Sequence, residues 1–151
     1  RAVEYMLGLK DGGFLKYQED RPQAQAAMRD ALQTPSIWDD ALAAASRAGL
    51  PIPAEVLNRD FSQPYVAHSE VEAAFLTVYR EPERYWELYQ LAEKLVDLDD
   101  AMATWRHKHV VTVERVIGGK RGTGGTAGGS YLQATLAKRA FPELWSLRTE
   151  L

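Results

Sequence analysis

Between His109 and Leu132 the chain reads HVVTVERVIGGKRGTGGTAGGSYL. A histidine on a run of helical periodicity is followed by a loop with seven glycines from Gly118 to Gly129. Cysteine is absent, which excludes disulfides, Cys-ligated zinc, iron–sulfur clusters and thiolate catalysis. Three histidines remain as neutral nitrogen ligands: His68, His107 and His109. His107 and His109 stand two residues apart, so on a helix they point to different faces and do not chelate one ion. No cluster of histidine and carboxylate at metal-ligand spacing accompanies them.

Three readings of this stretch compete. The plain one makes His109 a satisfied core residue and the glycine loop a flexible linker. Against it, the loop carries Lys120, Arg121, Thr123 and Thr126, and seven glycines are entropically expensive to order unless backbone must approach a ligand closely. The second is phosphate binding, since GTGGTA (Gly122 to Ala127) fits G-x-G-x-x-A. That fingerprint needs a preceding strand, and here a long helix precedes it. The P-loop pattern also fails, because Arg121 follows Lys120. The third is a haem, which asks for one axial imidazole, an apolar pocket and nearby cations. Trp105, one turn before His109, and Val113 and Val116, one and two turns after it, could line such a pocket. Thr123 would offer a hydroxyl from the loop.

The elements that must position these residues are helical almost throughout. The segment from Gln23 to Leu32 is rich in strong helix formers. Thr34 and Pro35 predict an N-cap and first helical residue for the next helix, closing at Gly49. The stretch LPIPAEVLNRDFSQPYVAH reads as an irregular connection with at most one helical turn. Ser69 and Glu72 predict a capping box before another helix. From Pro82 to Gly118 no breaker occurs, which predicts one long central helix or a two-helix hairpin. Along it Tyr85, Leu88, Leu91 or Ala92, Leu95, Leu98, Met102 and Trp105 form an apolar stripe that continues through His109. A helix resumes from Ser130. The fold class is all-α, with a long central helix carrying the histidine.

The chain of 151 residues has the size of one domain. A net charge of −3 gives no electrostatic case for nucleic acid or an anionic membrane as partner. No apolar run reaches spanning length and no signal peptide is visible, so the cytoplasm is the expected compartment. Residues 1–151 are expected to form a single all-α domain. The helical start at RAVEYMLG, with Gly8 as its C-cap, leads us to expect a fragment lacking an N-terminal portion.

At WRHKHVVTVERVIGGKRGTGGTAGGSYLQATL the sequence resembles the signature of the tryptophan 2,3-dioxygenase family. The match runs without gaps from Trp105 to Leu132. Weaker likeness extends to FPELWSLRT, to ERYWELYQLAEKLVDLDD and to Arg1 through Gly8. The resemblance implies that His109 is the axial ligand of the iron of haem b, and that Thr123, with backbone of Gly122 and Gly124, contacts the amino-acid part of bound tryptophan. It places Trp105 and Arg1 around the haem propionates, and Val113 and Tyr131 in the pocket lining. It sets the distal catalytic residues upstream of the segment matching Arg1, so none is identified here.

The implied activity is oxidation of the indole ring of L-tryptophan with O2, cleaving C2–C3 to N-formylkynurenine, in a homotetramer. Two departures leave room for an alternative. Ala127 stands where many members have serine, and Gly119 where a larger residue is common. A biosynthetic relative that oxygenates a substituted tryptophan, such as a β-methyl derivative, possibly inserting one oxygen only, fits those changes. A non-catalytic helical interaction module is the third expectation.

Overall fold

The computed structural model describes residues 2–13, 15, 20–118 and 133–151; among them every regular element is helical and no strand occurs. Helix α1 (Ala2–Met6) ends through Gly8, whose φ of +92° is open to glycine at little cost. Leu9 N there donates to Glu4 O at 2.9 Å. Helix α2 (Pro22–Gln33) starts on a proline, where the missing N–H costs nothing. Its C-terminal carbonyls are closed by a side chain from elsewhere: Lys10 Nζ donates to Ala31, Leu32 and Thr34 oxygens at 2.7, 3.0 and 2.6 Å. Burial lowers the pKa of that ammonium below its ordinary value.

Two helix caps differ from the sequence reading. Helix α3 spans Ile37–Arg47 and is capped by Ser36, not Thr34. Thr34 still belongs to the end of α2, its N–H and hydroxyl both donating to Asp30 O. Pro35 forces the residue before it into extended geometry, and Thr34 sits at ψ 137°. The capping box is therefore Ser36 with Asp39: the Asp39 N–H donates to Ser36 Oγ at 3.1 Å, and Ser36 N donates to Asp39 Oδ2 at 2.8 Å. Helix α5 (Ser69–Arg80) is capped by His68, whose Nδ1 accepts from Glu70 N, and Ser69 is its first residue. Glu72 instead accepts a hydrogen bond from Ser146 Oγ.

Between them the connection is irregular, as expected, with one short helix α4 (Ala54–Leu57). Helix α6 (Trp86–Ile117) is continuous over 32 residues, roughly 48 Å at 1.5 Å per residue, which decides against a hairpin. It starts at Trp86 because Pro82 initiates a turn, not a helix. After residues 133–135, which are helical, the chain turns, so the helix expected from Ser130 does not reach Phe141. Helix α7 (Pro142–Ser146) and a 3₁₀ turn (Leu147–Glu150) complete the fold. No helix of the described residues is long and apolar enough to cross a membrane.

The core gathers around Trp38, fully buried, with Phe75 and Phe141 rings at 5.4 and 5.5 Å from it. Leu42, Val71, Leu88, Ala92, Leu144 and Leu147 fill the remaining space. Burial of each leucine, valine or phenylalanine among them contributes on the order of 2 kcal/mol. Helices α5, α6 and α7 pack on one another around this centre.

Helix α6 follows the predicted stripe as far as Met102. Leu88, Ala92 and Leu95 are buried, and Leu98 and Met102 are half-buried against the core; the other fully buried positions are Asp99, Arg106 and Val110. Toward its C-terminal end the inward face is thus rotated by about one residue from Trp105 and His109. Two charges take that face because they hold backbone of residues 138–140, a tertiary partnership that periodicity does not register. Trp105 and His109 are left pointing outward.

Candidate functional site

His109 and Trp105 sit one turn apart on α6, and their rings stack at 5.0 Å with planes 6° apart. Helical spacing of four residues brings them to one face. Both are exposed; Trp105, at 53%, is among the most open large apolar side chains of the described residues. They form one wall of a cavity of about 600 Å³. Met102 extends that wall by a turn, Val3 and Glu4 of α1 face it, and Arg106 and Thr135 complete the lining. The volume lies within the range of small-molecule and cofactor sites. Its walls are mainly apolar, with one imidazole, one guanidinium and the Glu4 carboxylate. Such a set suits a flat, largely apolar ligand that takes a nitrogen ligand.

Behind the cavity, α6 is fastened to the chain segment that follows residue 135. Asp99 is fully buried, and its Oδ2 accepts from Ala140 N at 3.1 Å and Trp145 Nε1 at 2.9 Å. Arg106 Nη1 donates to Lys138 O at 3.0 Å. Arg139 lays its guanidinium over the Trp145 ring at 3.9 Å.

The sequence-derived residues fall into three groups. His109 and Trp105 meet at the cavity. Val113 is half-buried and Val116 exposed; neither lines the cavity. Arg1, Gly122, Thr123, Gly124 and Tyr131 lie outside the described residues. Met102, Val3, Glu4, Arg106 and Thr135 line the cavity without having been singled out as site residues. Arg106 lies inside the WRHKH stretch, but its type and spacing alone match a solvated helix face, and only its burial distinguishes it. Neither other histidine lines this cavity: His107 is exposed, and His68 caps α5 with its Nε2 2.7 Å from Glu55 Oε1.

A second cavity, of about 410 Å³, lies between residues 8–12, 62–65 and 138–142. Its buried cation, Lys10, is already committed to the three α2 carbonyls, and no histidine borders it. The carboxyls of Asp39 and Glu143 are shifted as structural ties and line neither cavity. Burial alone would raise Asp39, but hydrogen bonds from Arg59 and Ser36 outweigh it and hold the carboxyl below its ordinary range. Burial pushes Glu143 up, even though Tyr65 Oη and His68 N donate to its Oε1 at 2.5 and 2.9 Å. Among the described residues no group of three or more histidines and carboxylates could hold a bare metal ion.

Comparison with known proteins bears on what this cavity takes. A family model described as tryptophan 2,3-dioxygenase matches residues 73–151, which include Trp105 and His109. Over its full 151 residues the chain is 66% identical to a tryptophan 2,3-dioxygenase of Caulobacter vibrioides and 52% identical to one of Bordetella pertussis. It is also 50% identical to one of Bacillus cereus. All of this chain is covered in each case, against 57%, 53% and 54% of the respective relatives. The chain thus spans a little over half the length of the curated relatives it matches.

Proposed function

Since this chain belongs to the tryptophan 2,3-dioxygenase family, we propose that residues 1–151 form one all-α domain supplying the proximal side of a haem pocket. In that pocket the indole ring of L-tryptophan is oxidised by O2, with cleavage of C2–C3 to N-formylkynurenine. The observation that carries this reading is His109, stacked on Trp105 at the wall of a largely apolar cavity.

The donor set fits haem b. One imidazole is available on a rigid helix, apolar groups from two helices face each other across the cavity, and a guanidinium borders it. When bound, haem supplies the reactivity toward O2 that no side chain of this segment has. The chain's own residues do the rest. His109 presents an imidazole nitrogen, and the Trp105 face limits rotation of its ring. Val3 and Met102 keep water from the apolar part of the cavity. Thr123, with the backbone of Gly122 and Gly124, holds the amino-acid end of the substrate and so orients the indole. Arg1 and Tyr131 join Trp105 around the cofactor. The active assembly is a homotetramer in the cytoplasm.

The test is spectroscopic. The whole protein, expressed with haem supply, is expected to show a Soret band and to convert L-tryptophan to N-formylkynurenine. His109→Ala is expected to lose both. Unchanged haem content and an unchanged Soret band in that variant would refute the assignment.

A further inference from the structure

Three side chains on one side of α6 hold the chain that follows residue 132. Asp99 Oδ2 accepts from Ala140 N at 3.1 Å, Arg106 Nη1 donates to Lys138 O at 3.0 Å, and Glu114 Oε1 accepts from Gln133 Nε2 at 2.8 Å. About two helical turns separate each of these positions on α6 from the next, so all three share a face. Their partners run the other way, 140, 138 and 133, which lays residues 133–140 antiparallel along α6 as a strap. Asp99 and Arg106 are buried, whereas Glu114 and Gln133 are exposed.

The strap gives the His109 cavity one residue. The other lining residues belong to α1 and α6; Thr135, 4% exposed, is the only one from elsewhere among the described residues. Its placement is linked to Gln133 by a tight turn, in which Leu136 N donates to Gln133 O at 3.1 Å and Lys138 N to Thr135 O at 3.2 Å. Successive bonds from i to i+3 leave the backbone few free torsions, so a shift at Gln133 is carried to Thr135. The ties at Asp99 and Arg106 fix the strap beyond Thr135. The tie before it is Glu114–Gln133, a hydrogen bond to a carboxylate. Because both groups are exposed, that bond adds little to the core; its consequence is where it puts Thr135.

We propose that Glu114 and Gln133 are a positioning pair for the His109 cavity: their hydrogen bond seats the turn of residues 133–138 on α6 and so holds Thr135 in the cavity lining. The inference rests on the haem reading above for what fills the cavity, and adds the contact outside it that sets its shape. Neither residue lines the cavity, so both act through Thr135. Breaking the bond lets the turn drift from α6, opens the cavity at Thr135 and loosens the fit of a flat ligand against Trp105 and His109.

The experiment uses the whole protein prepared without haem, and zinc protoporphyrin IX as a fluorescent probe. Glu114→Ala and Gln133→Ala are each expected to weaken its binding about three- to tenfold, the worth of one hydrogen bond to a charged group, with the urea midpoint unchanged. The double variant is expected to bind no more weakly than either single one, since the two side chains share one bond. Glu114→Gln keeps an acceptor for Gln133 and is expected to stay within about twofold of wild type, which separates the bond from the charge. In a Thr135→Ala background, Glu114→Ala is expected to add nothing. Unchanged affinity in both alanine variants would overturn the proposal. So would a loss that persists in the Thr135→Ala background, or one matched by an equal fall in urea stability. Failure of wild type to bind the porphyrin would remove the haem reading, not the positioning pair, and the Thr135 methyl resonance then decides. It is expected to move in Glu114→Ala and to return in Glu114→Gln; a resonance that stays in place would overturn the inference.

Discussion

The rings of Trp105 and His109 lie face to face, 5.0 Å apart and within 6° of parallel, on the outward side of α6. An exposed imidazole on an isolated helix would sample several rotamers; against the indole face one orientation is favoured. Aromatic contacts of this kind contribute about 1 kcal/mol. Trp105→Leu is therefore expected to speed haem loss roughly three- to tenfold, measured by transfer to a scavenger globin, without loss of the helical circular dichroism.

Thr123 bears the substrate in the proposed pocket. Thr123→Ala is expected to raise KM for L-tryptophan by about tenfold, the worth of one hydrogen bond to a charged group, while the Soret band stays in place. Steady-state kinetics beside an absorption spectrum separate the two effects. An unchanged KM would remove Thr123 from the substrate site.

The Asp39–Arg59 pair ties α3 to the irregular connection, with side chains only 4% and 14% exposed. Asp39→Ala removes both the ion pair and half of the α3 capping box, leaving Arg59 uncompensated; the expected loss is about 3 kcal/mol in urea unfolding. The sign with pH follows from the depressed carboxyl. Its contribution is present above the ordinary value of 3.8 and is lost as pH falls through the lower folded value. Acid unfolding of wild type is expected to show this loss, and the variant to lack it.

Glu143 has the opposite sign. Its raised folded pKa means that the folded state holds the proton more tightly than the unfolded chain does. The resulting stabilisation is full below the ordinary value of 4.5 and disappears as pH rises through the folded value. Glu143→Gln keeps an acceptor for Tyr65 and His68 but does not titrate. Relative to wild type it is expected to gain stability from pH 4 to pH 7, read from urea midpoints. A constant difference across that range would show that Glu143 does not titrate there.

Helix positions were largely legible in the sequence, because helix formers, glycine stops and proline starts act locally. The start of α3 was displaced because Thr34 is held by the last turn of α2 and by the proline after it. The Ser36–Asp39 box two residues on was the available signal. His68 was invisible as a cap, since imidazole is an uncommon one. The inward face of α6 departs from the stripe past Met102, where Trp105 and His109 are exposed, because hydrophobic periodicity presumes apolar partners. Asp99 and Arg106 face inward to meet backbone 41 and 32 residues later, a relation no local window contains. His109 and Trp105 were legible as a chemically suggestive pair, and Arg106 was not, because its meaning lies in its burial.

The segment from Lys138 to Leu147 has a consequence for the order in which the molecule is made. Phe141, Leu144 and Leu147 close the core around Trp38, and Lys138 and Ala140 cover the charges of α6. During synthesis those residues emerge after everything they cover. Until they leave the ribosome, Trp38 is wet, and Asp99 and Arg106 are ordinary hydrated charges on a solvent-facing helix. The nascent chain thus keeps a hydrated α6 until residues 138–147 arrive, and only then converts that charged face into an interior one.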